Sequence, residues 1–261
     1  MTRAIPGSPL TSVLVPLTLF LLTACQGVLP PLRDKIEVGR DAYAVFVGGS
    51  GLGGDLYGVR ADGGPAYPIT YTPVAEQSPA LAPDGVGLAF LRGRSLRDST
   101  PAAVWVLNLM NGAERELRLP KGSGMPTRVG WSRDGAAVII ESTAGLFRVA
   151  APPAPPRVEP VSGAGRAAAE SSLAVLLGDP VFARVVPCKT PGDLCVSGDT
   201  GAPGFLAHEA RQAVRWGADS VALLIGNRVE IRPLGPGRPR RLTWTNLPLD
   251  PRQMTFFEGR E

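Results

Sequence analysis

Leu81-Ala-Pro-Asp84-Gly85-Val-Gly-Leu-Ala-Phe90 recurs twice in the chain without gaps, as Trp131-Ser-Arg-Asp134-Gly135-Ala-Ala-Val-Ile-Ile140 and as Trp216-Gly-Ala-Asp219-Ser-Val-Ala-Leu-Leu-Ile225. Each copy has a large apolar residue, two small or polar residues, an Asp, a turn former and a hydrophobic run. An Asp carboxylate accepts hydrogen bonds from the backbone just beyond it, and Gly takes positive φ without strain, so the pair reverses one strand into the next. Asp84, Gly85, Asp134, Gly135 and Asp219 are therefore read as turn residues. Trp131 and Trp216, in equivalent register, are read as packing residues of the repeat.

Two weaker copies extend the series. Asp41 opens DAYAVFV, 43 residues before Asp84, and AESSLAVLL around Glu170 falls within the 85 residues separating Asp134 from Asp219. Each strand leads to a second run and, through a turn, to a third: 55–59 to 66–70, 104–109 to 114–119, 145–149 to 157–161, 194–197 to 205–207, and 229–232 to 240–244. Strands about 8–12 residues apart, inside a period near 45, predict an all-β fold. The architecture expected is a β-propeller of about five four-stranded antiparallel blades, with six as the alternative. DPRQMTFFEG at 250–259 reads as a further opening strand with nothing after it, while the first blade lacks one. Pairing the C-terminal strand with the N-terminal blade would close the ring and remove its exposed edges.

At this point the residues resemble a family. SPALAPDGVGLAF at 78–90, followed by VWVLNLMNGAERELRL at 104–119, resembles the PD40 (WD40-like) repeat of the TolB propeller, and DLYGVRADGG at 55–64 is similar to that repeat's second half. The resemblance spans about 40–259 and implies a TolB-like propeller with protein partners. Neither the α/β domain that precedes the propeller in TolB nor the hydrolase domain that follows one in prolyl-oligopeptidase-type enzymes is recognisable. The resemblance thus implies a fold and not an activity.

Arg3 and the apolar stretch LTSVLVPLTLFLLTA at 10–24, broken by Pro16, read as an export signal over residues 1–24. Leu22-Thr23-Ala24-Cys25 resembles the bacterial lipobox. That resemblance implies cleavage before Cys25 and acylation of its thiol, so that membrane lipid is one partner; an ordinary signal peptide followed by a chance Cys is the alternative. Several acyl chains would anchor the protein stably without a membrane span. The resemblance further places the chain in the periplasm or at the cell surface, and Gln26, standing where inner-membrane lipoproteins of proteobacteria carry Asp, points to the outer membrane. Residues 25–40 are read as the lipidated Cys and a tether, extended at Pro30-Pro31 and followed by an edge strand at Ile36 and Val38; 41–261 is read as the propeller.

Composition narrows the chemistry. With 44% hydrophobic and 19% charged residues the chain can bury a core, and 32 Gly with 27 Pro disfavour long helices. A formal charge of +4, which falls by one with loss of Arg3, is too small for a nucleic-acid partner. One His and three Cys leave little for a metal site, and no cofactor is expected.

Cys188 and Cys195 form an even pair in an exported protein, for which a disulfide is the economical reading, with free thiols, redox work or metal binding as alternatives. Gly49-Ser-Gly-Leu-Gly-Gly54 satisfies G-x-G-x-x-G, but a strand follows where a dinucleotide site needs a helix, so it is read as a hairpin loop. HEARQ at 208–212 lacks the second His of a zinc-peptidase motif. His208 is therefore placed on a blade connection, a Ser-His-acid triad through it having no local support. Arg232, Arg238, Arg240 and Arg241 form a basic cluster on the last hairpin, read as solvated, with anionic lipid or glycan as the other reading.

Two functions follow. One is a lipid-anchored scaffold that binds an envelope protein or glycan. The other is an enzyme acting on envelope polysaccharide or peptide through the loop carboxylates Asp55, Asp62, Asp98 and Asp199, should they converge at the channel.

Overall fold

A computed structural model describes residues 31–49, 54–93, 102–173, 185–191, 193–196, 204–216, 220–226, 228–234, 237–242, 244–248 and 250–260. The strands form five antiparallel sheets. Blade I runs Arg252–Phe257, Tyr43–Gly48, Asp55–Arg60, Tyr67–Pro68 from its inner edge outward, and blade II runs Ala75–Leu81, Gly87–Gly93, Ala103–Asn108, Glu114–Leu117. Blade III is Pro126–Trp131, Ala137–Ser142, Gly145–Ala150, Val158–Val161. Blade IV has three described strands, Val185–Pro187, Leu194–Val196 and Gly204–Ala207; blade V is Ala210–Trp216, Ser220–Ile225, Arg228–Pro233, Arg240–Leu242.

Four of the five pairs of consecutive blades share a hydrophobic core among the described residues. Tyr43, Val45 and Val47 face Leu88, Phe90 and Leu107 between blades I and II, and the alternate residues Ala44 and Phe46 face Ala222, Leu224 and Val229 between I and V. Side chains alternate across a strand, so a strand packed on both faces must be apolar at every position. YAVFV is that strand, and all of its residues are buried. Val106 and Val129 meet between II and III, and Leu194 and Leu223 between IV and V, while Ile139 of blade III packs on Ala169 and Leu173 of the segment that follows it.

The ring is closed as the surplus C-terminal strand predicts. Arg252–Phe257 pairs antiparallel with Tyr43–Gly48, bringing Phe257 opposite Tyr43. The repeat turns take the expected form: Asp84 Oδ1 accepts from Val86 N at 2.8 Å, Asp134 Oδ1 from Ala136 N at 3.0 Å, and Gly85 and Gly135 have φ of 68° and 69°. Asp219 lies outside the described residues, as do Cys25, Asp98 and Asp199.

Three expectations need correction. Ile36 and Val38 form no edge strand; residues 31–41 coil through turns that bury Leu32 and Ile36 in the core between blades I and II. The stretch read as tether thus belongs in part to the folded body, because its apolar residues find a better-packed site than a lone strand edge provides. Glu170 is not in an Asp-type repeat turn either, since it ends a short helix, Arg166–Glu170; of the strand read after it, Leu173 bridges Gly130 and residues 174–177 lie outside the described residues. Arg240 to Trp244 is likewise divided. Arg240–Leu242 completes blade V, whereas Trp244–Thr245 pairs in parallel with Gly64–Pro65 under blade I, and Trp244 Nε1 donates to Arg60 O at 3.1 Å.

Cys188 and Cys195 are joined by a disulfide across the turn between Val185–Pro187 and Leu194–Val196. Closing this eight-residue loop is worth about 2.5 kcal/mol on the chain-entropy account. Cys188→Ala/Cys195→Ala should lower stability by about that amount. Urea unfolding of oxidised and doubly substituted protein tests this, and equal midpoints would refute it.

Candidate functional site

The inner strands of the blades lie side by side around an axis but do not share a ladder. Their side chains cross the gaps instead. Ser78 and Gln253 occupy matching bulges in the inner strands of blades II and I, each at a φ of 51°. The bulge turns backbone groups toward the neighbouring blade: Ser78 N donates to Gln253 Oε1 at 2.8 Å, and Val129 N of blade III donates to Ser78 Oγ at 3.4 Å. Leu81 N donates to Thr255 Oγ1 at 3.2 Å. On the blade V side the Gln212 amide brackets Met254, Nε2 donating to Met254 O at 3.1 Å while Oε1 accepts from Met254 N. Trp131 Nε1 donates to Ala80 O at 2.9 Å. These bonds satisfy backbone groups that an inner edge would otherwise leave unpaired.

The axis they surround holds a cavity of about 470 Å³. Its walls include Leu81, Trp131, Leu173 and Val214, and Arg215, Glu258 and Arg260 stand where the inner strands run out toward the repeat turns. Trp216 stacks on Phe256 beside the wall, with ring centroids 3.7 Å apart. The Trp residues therefore do the packing that their register predicts. Tyr43 braces the same end, its hydroxyl donating to Gly85 O at 2.6 Å. Burial, and then the charge of Asp84, push that hydroxyl far above its ordinary pKa, so it remains a donor. Asp134 moves the other way: the Ser132 hydroxyl and then the Ala136 N–H hold its carboxyl below the usual range.

The remaining candidates fall elsewhere. His208 sits on the connection between blades IV and V, with Nδ1 3.0 Å from Asp193 Oδ1. Asp193 O in turn accepts from Cys188 N at 2.9 Å, so the pair clasps the disulfide turn. Gln212 of HEARQ serves the inner-strand bracket described above. Gly48 pairs with Asp55, which begins a strand, as the hairpin reading of the Gly-rich segment requires; residues 50–53 lie outside the described set. Asp55 and Asp62 do not converge. Asp55 accepts from Thr72 N at one end of its strand, and Asp62 pairs with Arg60 beyond the other end, about 20 Å away at strand rise. Among the described residues no group of three or more His, Cys, Asp or Glu is placed to hold a metal.

The basic hairpin has a centre that composition alone does not reveal. Glu230 is buried and takes Arg228, Arg232 and Arg241 at 3.2, 2.8 and 3.3 Å. Hydrogen bonding from Arg232 is the main cause holding its carboxyl below the ordinary range. The signal was available: Arg228, Glu230 and Arg232 share one strand face by period two, and Arg241 is the cross-strand partner of Glu230. Arg238 and Arg240 are exposed. A second buried carboxylate was not foreseen. Glu76 is enclosed by Thr70 Oγ1, Thr72 Oγ1 and Arg92 Nε at 2.9, 2.9 and 3.0 Å, and Arg92 also forks onto Glu114 while lying over the rings of Phe90 and Trp105.

No known protein family and no curated protein matches the chain in sequence. Solved structures similar to it include TolB from Acinetobacter baumannii, at 14% identity over 82% of this chain and 66% of that one with a TM-score of 0.45. Others are a protein from Listeria monocytogenes EGD-e (10% identity, 77% of this chain and 63% of that one, TM-score 0.35) and a prolyl endopeptidase (14%, 82% and 37%, 0.34). The chain spans under two thirds of the length of each. The radially arranged antiparallel sheets, five of them among the described residues, and the strand lent by the C-terminal segment make the chain an all-β propeller.

Proposed function

We propose that the protein is an exported, lipid-anchored binding scaffold that takes an envelope protein or glycan at the mouth of its central channel. The cavity carries this reading, because inner strands of four blades contribute to it and its lining mixes apolar walls with charged groups at the outer end. Such a concave surface on a rigid ring suits recognition. The lipobox-like Leu22-Thr23-Ala24-Cys25 supports the anchor, and the disulfide suits an oxidising compartment.

Two measurements test the two halves. A clickable fatty acid should label the wild-type protein and not Cys25→Ala; equal labelling of both removes the anchor. The lipid-free form should enrich a protein or glycan from envelope extract over a denatured control, and Arg260→Glu should cut that enrichment by about tenfold, as loss of one charge-assisted contact allows. Enrichment unchanged by the substitution would move binding away from the channel.

A further inference from the structure

We propose that the end of the propeller bearing the channel mouth faces the membrane lipid surface, held there by a short leash between Cys25 and the buried Leu32. The inference rests on the anchoring reading above, and it confines the partner taken at the channel mouth to a protein or glycan lying at that same membrane surface. Its structural part comes from where the chain joins the body. Gly39 lies against Val86 and Asp84 O of one repeat turn, Ala61 N donates to Ala42 O at 2.9 Å, and Arg260 N donates to Arg40 O at 2.8 Å. Ile36 and Val38 lie beside Leu109 and Met110 at the outer hairpin of blade II. Residues 32–42 thus pack across the turns that follow the inner strands, the end where Glu258 and Arg260 border the cavity.

Leu32 is wholly buried and cannot pay out without unpacking the core between blades I and II. From an acylated Cys25 the seven residue steps to Leu32 reach at most about 25 Å. The blade strands, six or seven residues long, add about 20 Å between this end and the other. Turning the opposite end toward lipid would need nearly the whole of that reach, whereas the near end meets the surface well within it. Charge does not compete with this geometry, since Arg33, Lys35 and Arg40 are balanced by Asp34, Glu37 and Asp41 along the same segment.

The full lipidated chain, reconstituted into phosphatidylethanolamine and phosphatidylglycerol vesicles carrying a rhodamine lipid, supplies the test. A donor dye is placed on Met110→Cys at the near end or on Ala144→Cys, an exposed turn residue at the far end. The near dye should be quenched at least about twofold more strongly than the far one, in low and in high salt, given the added strand length between them. Inserting about fifteen Gly/Ser residues after Gly27 should abolish the difference, because a long flexible linker lets either end approach. Equal or reversed quenching in vesicle-bound protein overturns the orientation while leaving the anchor standing. A difference lost in high salt overturns the leash as its cause, as does one that survives the insertion. Failure of the wild-type chain to float with vesicles overturns the anchor and the orientation together.

Discussion

Phe257→Ala should lower the stability of the whole ring by about 3–5 kcal/mol. Phe257 lies in the strand that joins the two ends of the chain, opposite Tyr43 in the ladder, and its ring meets that of Tyr43 edge-on with centroids 5.8 Å apart. It also fills the space beneath the Gly85 turn, where a Cβ on Gly85 would lie 2.5 Å from Cε1 of the ring. Truncation therefore removes a large buried side chain and opens a cavity between blades I and II. Because that core continues into the next through the same strand, the loss should appear in a single transition. Urea unfolding followed by tryptophan fluorescence would show a lower midpoint at unchanged slope. A loss under about 1 kcal/mol would mean that the C-terminal strand decorates the ring without closing it.

Arg92→Met should cost about 3–5 kcal/mol at neutral pH, because it leaves Glu76 buried without its cation. Arg92 and Glu76 have side chains only 14% and 0% exposed, so the pair is largely desolvated. Burial already raises the Glu76 carboxyl above its ordinary value against the lowering effects of Thr72, Thr70 and Arg92. Without Arg92 it rises further. The folded protein then holds a proton that the unfolded chain releases at ordinary carboxylate pH, so stability falls as pH climbs from the unfolded value through the folded one. The penalty should be largest near about pH 8 and shrink toward about pH 5, where Glu76 becomes a neutral acid still bonded to the two threonine hydroxyls. Urea midpoints of both proteins across that range provide the check. A penalty independent of pH would show that Arg92 acts by packing over Phe90 and Trp105.

Local chemistry was the most legible part of the molecule. An Asp that accepts from the second N–H beyond it, and a Gly at positive φ, mark a turn whatever surrounds them, so Asp84-Gly85 and Asp134-Gly135 could be read in isolation. YAVFV was read only as a weak repeat copy, and the structure adds that this uninterrupted apolar strand is covered on both faces. The failures share a different character. Ile36 and Val38 are too few to show a period, so their fate depended on whether a pocket existed between two blades. Glu170 lay in the right interval for a repeat copy, but RAAAE just before the expected strand also suits a helical turn, and that is what it forms.

The bonds that stitch the inner strands could not be seen in advance. Gln253 serves Ser78, 175 residues away, and Gln212 serves Met254 across 42; neither residue has a local pattern to distinguish it from any surface amide. Glu76 carries no pattern in the sequence, and only the fold reveals it as the buried hub of two threonines and an arginine.

Repetition, turns and two-faced strands belong to the order of residues along the chain, because they depend on neighbours a few bonds apart. They were enough to predict about five blades, with six as the alternative, and the borrowed strand that joins first to last. Which side chains bridge the sheets, how wide a cavity remains on the axis, and which end of it lies beside the N-terminal segment depend on distances between residues remote in sequence. Those distances exist only once the ring has closed.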